Sequence, residues 1–203
     1  MKNYEEQYFQ VFDTPFKEDA FSLKPSLETG RRRYTFTKLD FGDGPITFVN
    51  SDKGDIPFVL SNFFLHGFFP IVSKEIADVI KDHDIDGFQL FPTVLIDDDD
   101  KWHEDFFFFN LYQELDFVDF KNSEIQDFEP GDTRYDVVRY KFKDDVLNAI
   151  PLEQRLIIRP KNVWGRGVFI HESIVSKIEK PIDKLSFRFL RMSNYKLGDE
   201  FNP

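Results

Sequence analysis

The chain has 203 residues, 41% of them hydrophobic, enough to bury one good core or two small ones. It carries 26 Lys+Arg against 37 Asp+Glu, a net charge of −11, which excludes a protein that coats nucleic acid, because phosphate binding needs an excess of cations. Cysteine is absent, so disulfide scaffolds, thiolate zinc sites, iron–sulfur clusters and cysteine nucleophiles are excluded too.

With 26 Phe the chain cannot be largely disordered. Its opening run, Met1-Lys2-Asn3-Tyr4-Glu5-Glu6, has acid where an export signal needs apolar residues. The longest apolar stretches, such as Phe106 to Phe109, fall far short of the roughly 20 residues of a membrane helix. The expectation is a cytoplasmic protein with no membrane partner.

In chain order, Tyr8 to Phe12 reads as a first strand. Arg33 to Leu39 alternates with period two, Gly42-Asp43-Gly44-Pro45 makes a turn, and Ile46 to Val49 resumes the strand pattern, so 33–49 is predicted to be a hairpin. Asn50 to Asp55 is a loop and the best seam in the chain. It divides a β-rich N-terminal layer, 1–54, from an α+β core, 55–203, the two expected to pack as one compact unit.

Ser73 to Asp84 is predicted to be a helix. Ser73 is placed to cap it, and Ile76, Val79 and Ile80 fall on one face. Phe88 to Pro92 is a strand that Thr93 to Ile96 continues or pairs with. Asp97 to Asp100 is an exposed turn, and Phe106 to Phe109 a strand buried on both faces. A second helix spans His171 to Lys180, with His171 starting or capping it and Pro181 stopping it, and Leu185 to Leu190 is a further strand. Ile71-Val72-Ser73 followed by Ile76 and Ile80 has the spacing of Phe169-Ile170-His171 followed by Ile174 and Ile178. The predicted class is therefore α+β: a mostly antiparallel or mixed sheet, two or three helices, and two strand–helix–strand units.

Charge is uneven. Residues 78–129 hold 3 Lys+Arg and 16 Asp+Glu, yet also many of the Phe residues, so this block is expected to fold with its carboxylates outside. The four His residues form no zinc-ligand pair, and no P-loop, nucleophile elbow or dinucleotide fingerprint occurs. One constellation fits a metal-dependent hydrolase or nuclease: Asp97 and Asp119 as ligands for Mg²⁺, with Lys121 orienting a water. A different alternative is an oligomeric scaffold assembled through exposed Phe63-Phe64 or Phe68-Phe69.

Three further stretches carry a resemblance. Pro70-Ile71-Val72-Ser73, its helix and Phe88 to Pro92 come first; then Asn110-Leu111, Leu115-Asp116, Asp119 and Ser123; then Arg159 after an apolar strand and Phe169-Ile170-His171 before a helix. Together, over roughly residues 55–190, they resemble the eleventh immunity family of bacterial polymorphic toxin systems. That resemblance implies a non-enzymatic protein, without cofactor or catalytic residue, that binds and silences a cognate toxin made by the same bacterium. Asn110, Asp119, Ser123 and Arg159 match the pattern and read as structural, since polar residues between buried strands usually satisfy backbone groups.

The residues fit that role. An acidic, rigid surface can plug a basic active cleft and speed its own association by steering. Tight inhibition needs aromatic anchors within an interface of about 1,600 Å². The expected contact residues are Asp97, Asp98, Asp99, Asp100, Trp102, Glu104, Asp105, Tyr112, Glu114 and Asp116.

Overall fold

The computed structural model describes residues 3–13, 22–126, 129, 131–164, 167–179 and 187–199. The elements run β1 (Tyr8–Asp13), β2 (Leu23–Pro25), α1 (Leu27–Gly30), β3 (Ile46–Asn50), β4 (Phe63–His66), β5 (Phe69–Ser73), α2 (Lys74–Ile80), β6 (Phe88–Ile96) and β7 (Trp102–Leu111). They continue with β8 (Glu124–Gln126), β9 (Asp136–Arg139), α3 (Asp144–Ala149), β10 (Ile157–Ile158), β11 (Phe169–His171), α4 (Glu172–Ile178) and β12 (Phe187–Arg191). The class is α+β, as the sequence predicts, with four helices among the described residues where two or three were expected; α1 and α3 are the short ones that the periodicity does not mark. No helix among the described residues is long and apolar enough to cross a membrane.

A six-stranded sheet has the order β2-β3-β6-β7-β5-β4, and only β3 and β6 pair in parallel. A four-stranded antiparallel sheet has the order β10-β11-β1-β12, and β8 pairs with β9. The N-terminal strands enter both large sheets: β1 between β11 and β12, β3 beside β6.

The two strand–helix–strand units have the same topology. β5 and β6, joined through α2, both run antiparallel to β7, which lies between them. β11 and β12, joined through α4, flank β1 in the same manner. Each is a split β-α-β unit, and α2 and α4 pack against each other. The shared spacing of their isoleucines has a common cause: Ile76 and Ile80, like Ile174 and Ile178, are fully buried beneath short helices.

One core joins both large sheets and both helices, from Val11 and Ile170 to Ile71, Ile76 and Phe108. A second, with Tyr8, Phe117, Tyr140, Phe142 and Phe169, lies on the other face of the four-stranded sheet. On β11, Ile170 faces the first core and Phe169 the second, which is why that strand reads as an unbroken apolar run. Phe63 and Phe69 are buried and Phe64 and Phe68 half-buried against the first core. The exposed phenylalanine patch of a scaffold is therefore not formed by these rings.

The expected 33–49 hairpin does not form. Phe36 adopts a left-handed φ of 59°, which breaks an extended run. Side chains supply the backbone partners a neighbouring strand would have given. Leu39 N–H donates to Gln89 Oε1 (2.9 Å), Gln89 Nε2 donates to Leu39 O (3.0 Å), and Asn110 Nδ2 donates to Thr37 O (2.8 Å). β3 pairs instead with β2 and β6.

The first helix is also shorter than predicted. Ser73 stands at its N-cap, but its buried hydroxyl has no partner. The helix stops at Ile80 because Ile85 must return to the core and Gly87, at φ 67°, turns the chain into β6. A Cβ at Gly87 would lie 2.5 Å from Gln113 Cβ, so only glycine suits that corner.

His171 does cap the second helix: its Nδ1 accepts from Ser173 N–H (3.2 Å) and Ser173 Oγ (2.9 Å). Burial, reinforced by the nearby Arg155 guanidinium, pushes its pKa below the ordinary imidazole value. Protonation turns that acceptor into a donor and breaks the cap. The folded state thus binds fewer protons than the unfolded chain between the depressed value and about 6.5, so stability is full above that range and lost as pH falls through it. His66, likewise depressed by burial, acts in the same direction. Between pH 7 and pH 5 the melting temperature is expected to drop, and to drop less in His171→Asn, which keeps a capping acceptor without the titration. An unchanged slope in that variant would rule His171 out as a source. The predicted Pro181 stop and residues 185–186 of the last strand lie outside the described residues.

Candidate functional site

The turn between β6 and β7 sorts its four aspartates by direction. Asp97 Oδ1 accepts from the N–H groups of Asp99 (3.0 Å) and Lys101 (2.9 Å). Its Oδ2 lies 2.8 Å from His103 Nε2, and this bond, ahead of the backbone ones, holds the carboxyl below its usual range. Asp98 accepts from Phe58 N–H (2.7 Å) and Asn50 Nδ2 (3.1 Å), and Phe58 stacks on His103 with ring centroids 5.6 Å apart. Asp97 therefore closes the turn on itself, and Asp98 staples the 50–58 loop to the hairpin.

Asp99 and Asp100 point outward. Asp100 takes φ 61° and lies 3.2 Å from Lys53 Nζ. Trp102 is 61% exposed. Glu104 and Asp105, also exposed, stand together opposite Val94 as a bulge, with Asp105 at φ 63°. Val59 and Leu60, just past the stapled Phe58, are exposed as well. Nothing in their local sequence distinguishes that apolar pair from a core segment.

The ten expected contact residues therefore do not form one patch. Asp97 and Asp98 are half-buried and spend their oxygens on the turn and its neighbouring loop. Asp99, Asp100, Trp102, Glu104 and Asp105 crowd the hairpin end. Tyr112, Glu114 and Asp116 lie beyond the other end of β7, roughly 30 Å away at the rise of a strand. That far group is already engaged: Glu114 lies 3.3 Å from Arg159, Asp116 2.7 Å from Lys143, and Lys38 sits over the Tyr112 ring.

The residues of the family pattern have internal partners. Asn110 is fully buried and donates to Thr37 O and to Gln89 Oε1. Asp119 accepts from the N–H groups of Lys121 and Asn122 and, most strongly, from the Asn122 side chain, which holds its carboxyl below the usual range. Ser123 Oγ accepts from Lys141 N–H (2.9 Å). Arg159 is buried beneath the Phe36 ring, 4.3 Å from its centroid.

The hydrolase constellation is not assembled. Asp97 precedes β7 and Asp119 follows it, and each spends its oxygens on its own turn. Among the described residues no group of three or more His, Asp or Glu is placed to hold a metal ion.

Neighbouring aspartates should thus behave differently on substitution. Asp98→Ala removes the acceptor of Phe58 N–H and leaves Asn50 Nδ2 with Ile56 O alone, and is expected to cost about 1–3 kcal/mol. Asp99→Ala should stay within about 0.5 kcal/mol. Denaturant titration of both variants decides the matter, and equal losses would refute the stapling role.

No curated protein matches the chain. The sequence model of an immunity protein family, Imm11, matches residues 6–172. That span starts well before residue 55, where the sequence resemblance begins, and ends at the first residue of α4. It takes in the whole six-stranded sheet and the strands β1, β10 and β11. With most of its length inside the match, the chain belongs to the Imm11 immunity protein family.

Proposed function

We propose that this protein is the antidote of a toxin–immunity pair. It acts in the cytoplasm of the bacterium that makes both, and neutralises its cognate toxin by covering a basic functional surface, without covalent chemistry. Membership of the immunity family is the observation that carries the reading. The hairpin end supports it: an exposed Trp102 among Asp99, Asp100, Glu104 and Asp105, on a chain of net charge −11. Carboxylates there would steer a basic partner, and the indole would supply a buried anchor. Because Asp97 and Asp98 staple the turn, little ordering cost remains to be met on binding.

Co-expression tests the proposal. The toxin domain encoded by the neighbouring gene should arrest growth alone and not with this protein present, and the two purified chains should co-elute. Growth arrest that persists at full expression of this protein, with no complex formed, would sink the reading.

A further inference from the structure

One face of the six-stranded sheet is only half covered. Pairing puts Leu90 opposite Phe109, Pro92 opposite Phe107 and Ile96 opposite Trp102, so these side chains share that face. On the other face Phe91, Thr93, Leu95 and Phe108 are all buried. Helix α2 covers only one end of the open face. There Ala77 and Ile80 form a wall over a groove of about 370 Å³ floored by Phe88, Leu90 and Phe107, each only partly buried. Past the groove Pro92 is exposed, Val94 buried between its neighbours, Ile96 half-buried and Trp102 exposed. From Leu90 to Trp102 this is one apolar strip about 20 Å long, at the rise of a strand.

The surroundings indicate what would lie on it. β6 is an interior strand, hydrogen-bonded to β3 and β7, so its backbone cannot accept an added strand and recognition must come from side chains. Asp78 and Asp84 stand at the groove end, where Asp78 is bonded to both Lys74 and Lys81, and the exposed Glu104 and Asp105 stand at the hairpin end. The acids of the hairpin end and a net charge of −11 repel a second copy of this chain and attract a cationic partner.

Resting on the immunity reading above, we propose that the strip from the α2 groove to Trp102 receives a segment of the cognate toxin whose apolar side chains are flanked by Lys or Arg. The contact then extends well beyond the acidic turn.

The probe is the purified toxin domain of the neighbouring gene, inactivated at its catalytic residues. Calorimetry should show affinity weakened about tenfold or more in Leu90→Ser and in Trp102→Ala, the loss expected of a central apolar anchor. In wild-type protein carrying labelled methyl groups, the Leu90 and Ile96 signals should move on adding the toxin domain, a readout independent of whether any variant folds. If the complex forms while those methyl signals stay in place and both variants bind as wild type does, the strip is not the contact and the immunity reading stands. If no complex forms with wild-type protein, the immunity reading itself falls and the strip proposal falls with it.

Discussion

Replacing Phe108 with alanine is expected to cost about 3–5 kcal/mol of folding stability, the usual loss for a fully buried ring. For a chain of this length that lowers the melting temperature by roughly 10 °C. Phe108 is fully buried at the middle of β7, with ring neighbours from three separate segments: Tyr34 (6.1 Å), Phe48 on β3 (6.1 Å) and Phe69 on β5 (5.4 Å). Its removal leaves a cavity that all three must close at once. The adjacent Phe107 faces the other way and is only partly buried, so Phe107→Ala should cost clearly less. Denaturant melts of the pair test the register of the central hairpin. Equal losses would mean that the two faces of β7 are wrongly assigned.

Stripping charge from the hairpin end should slow association with the toxin domain roughly 10–100-fold at low salt, with little change in dissociation. The variant that isolates charge from folding respects the backbone. Asp100 and Asp105 have left-handed φ values of 61° and 63°, which asparagine tolerates, so these become Asn. Asp99 and Glu104 are exposed and become Lys. Asp97 and Asp98 are left intact because they hold the turn. At about 1 M salt, where the Debye length is about 3 Å, the two proteins should associate at similar rates. Stopped-flow mixing across a salt series provides the measurement, and identical rates at low salt would place the contact elsewhere.

Local pattern determined much about this protein on its own. Buried strands show as apolar runs, so β6, β7 and β11 were legible from their side chains, as was the isoleucine spacing shared by α2 and α4. The cap at His171 was legible because it involves only residues two apart. Family kinship was legible from short polar marks set between those runs.

Only the tertiary structure decided the rest, because in each case the deciding partner is remote in sequence. Residues 33–39 alternate like a strand, yet Gln89 and Asn110 satisfy the backbone of Leu39 and Thr37 from across the fold and a loop results. Asp98 and Asp99 are chemically identical in the sequence. One is drawn inward by Phe58 and Asn50 while the other faces solvent. The open strip, too, depends on α2 ending at Ile80, which leaves Pro92 exposed and Ile96 half-buried on β6. Periodicity records which side chains prefer to leave water. Which hydrogen-bonding groups and which apolar faces meet a partner depends on how distant segments pack.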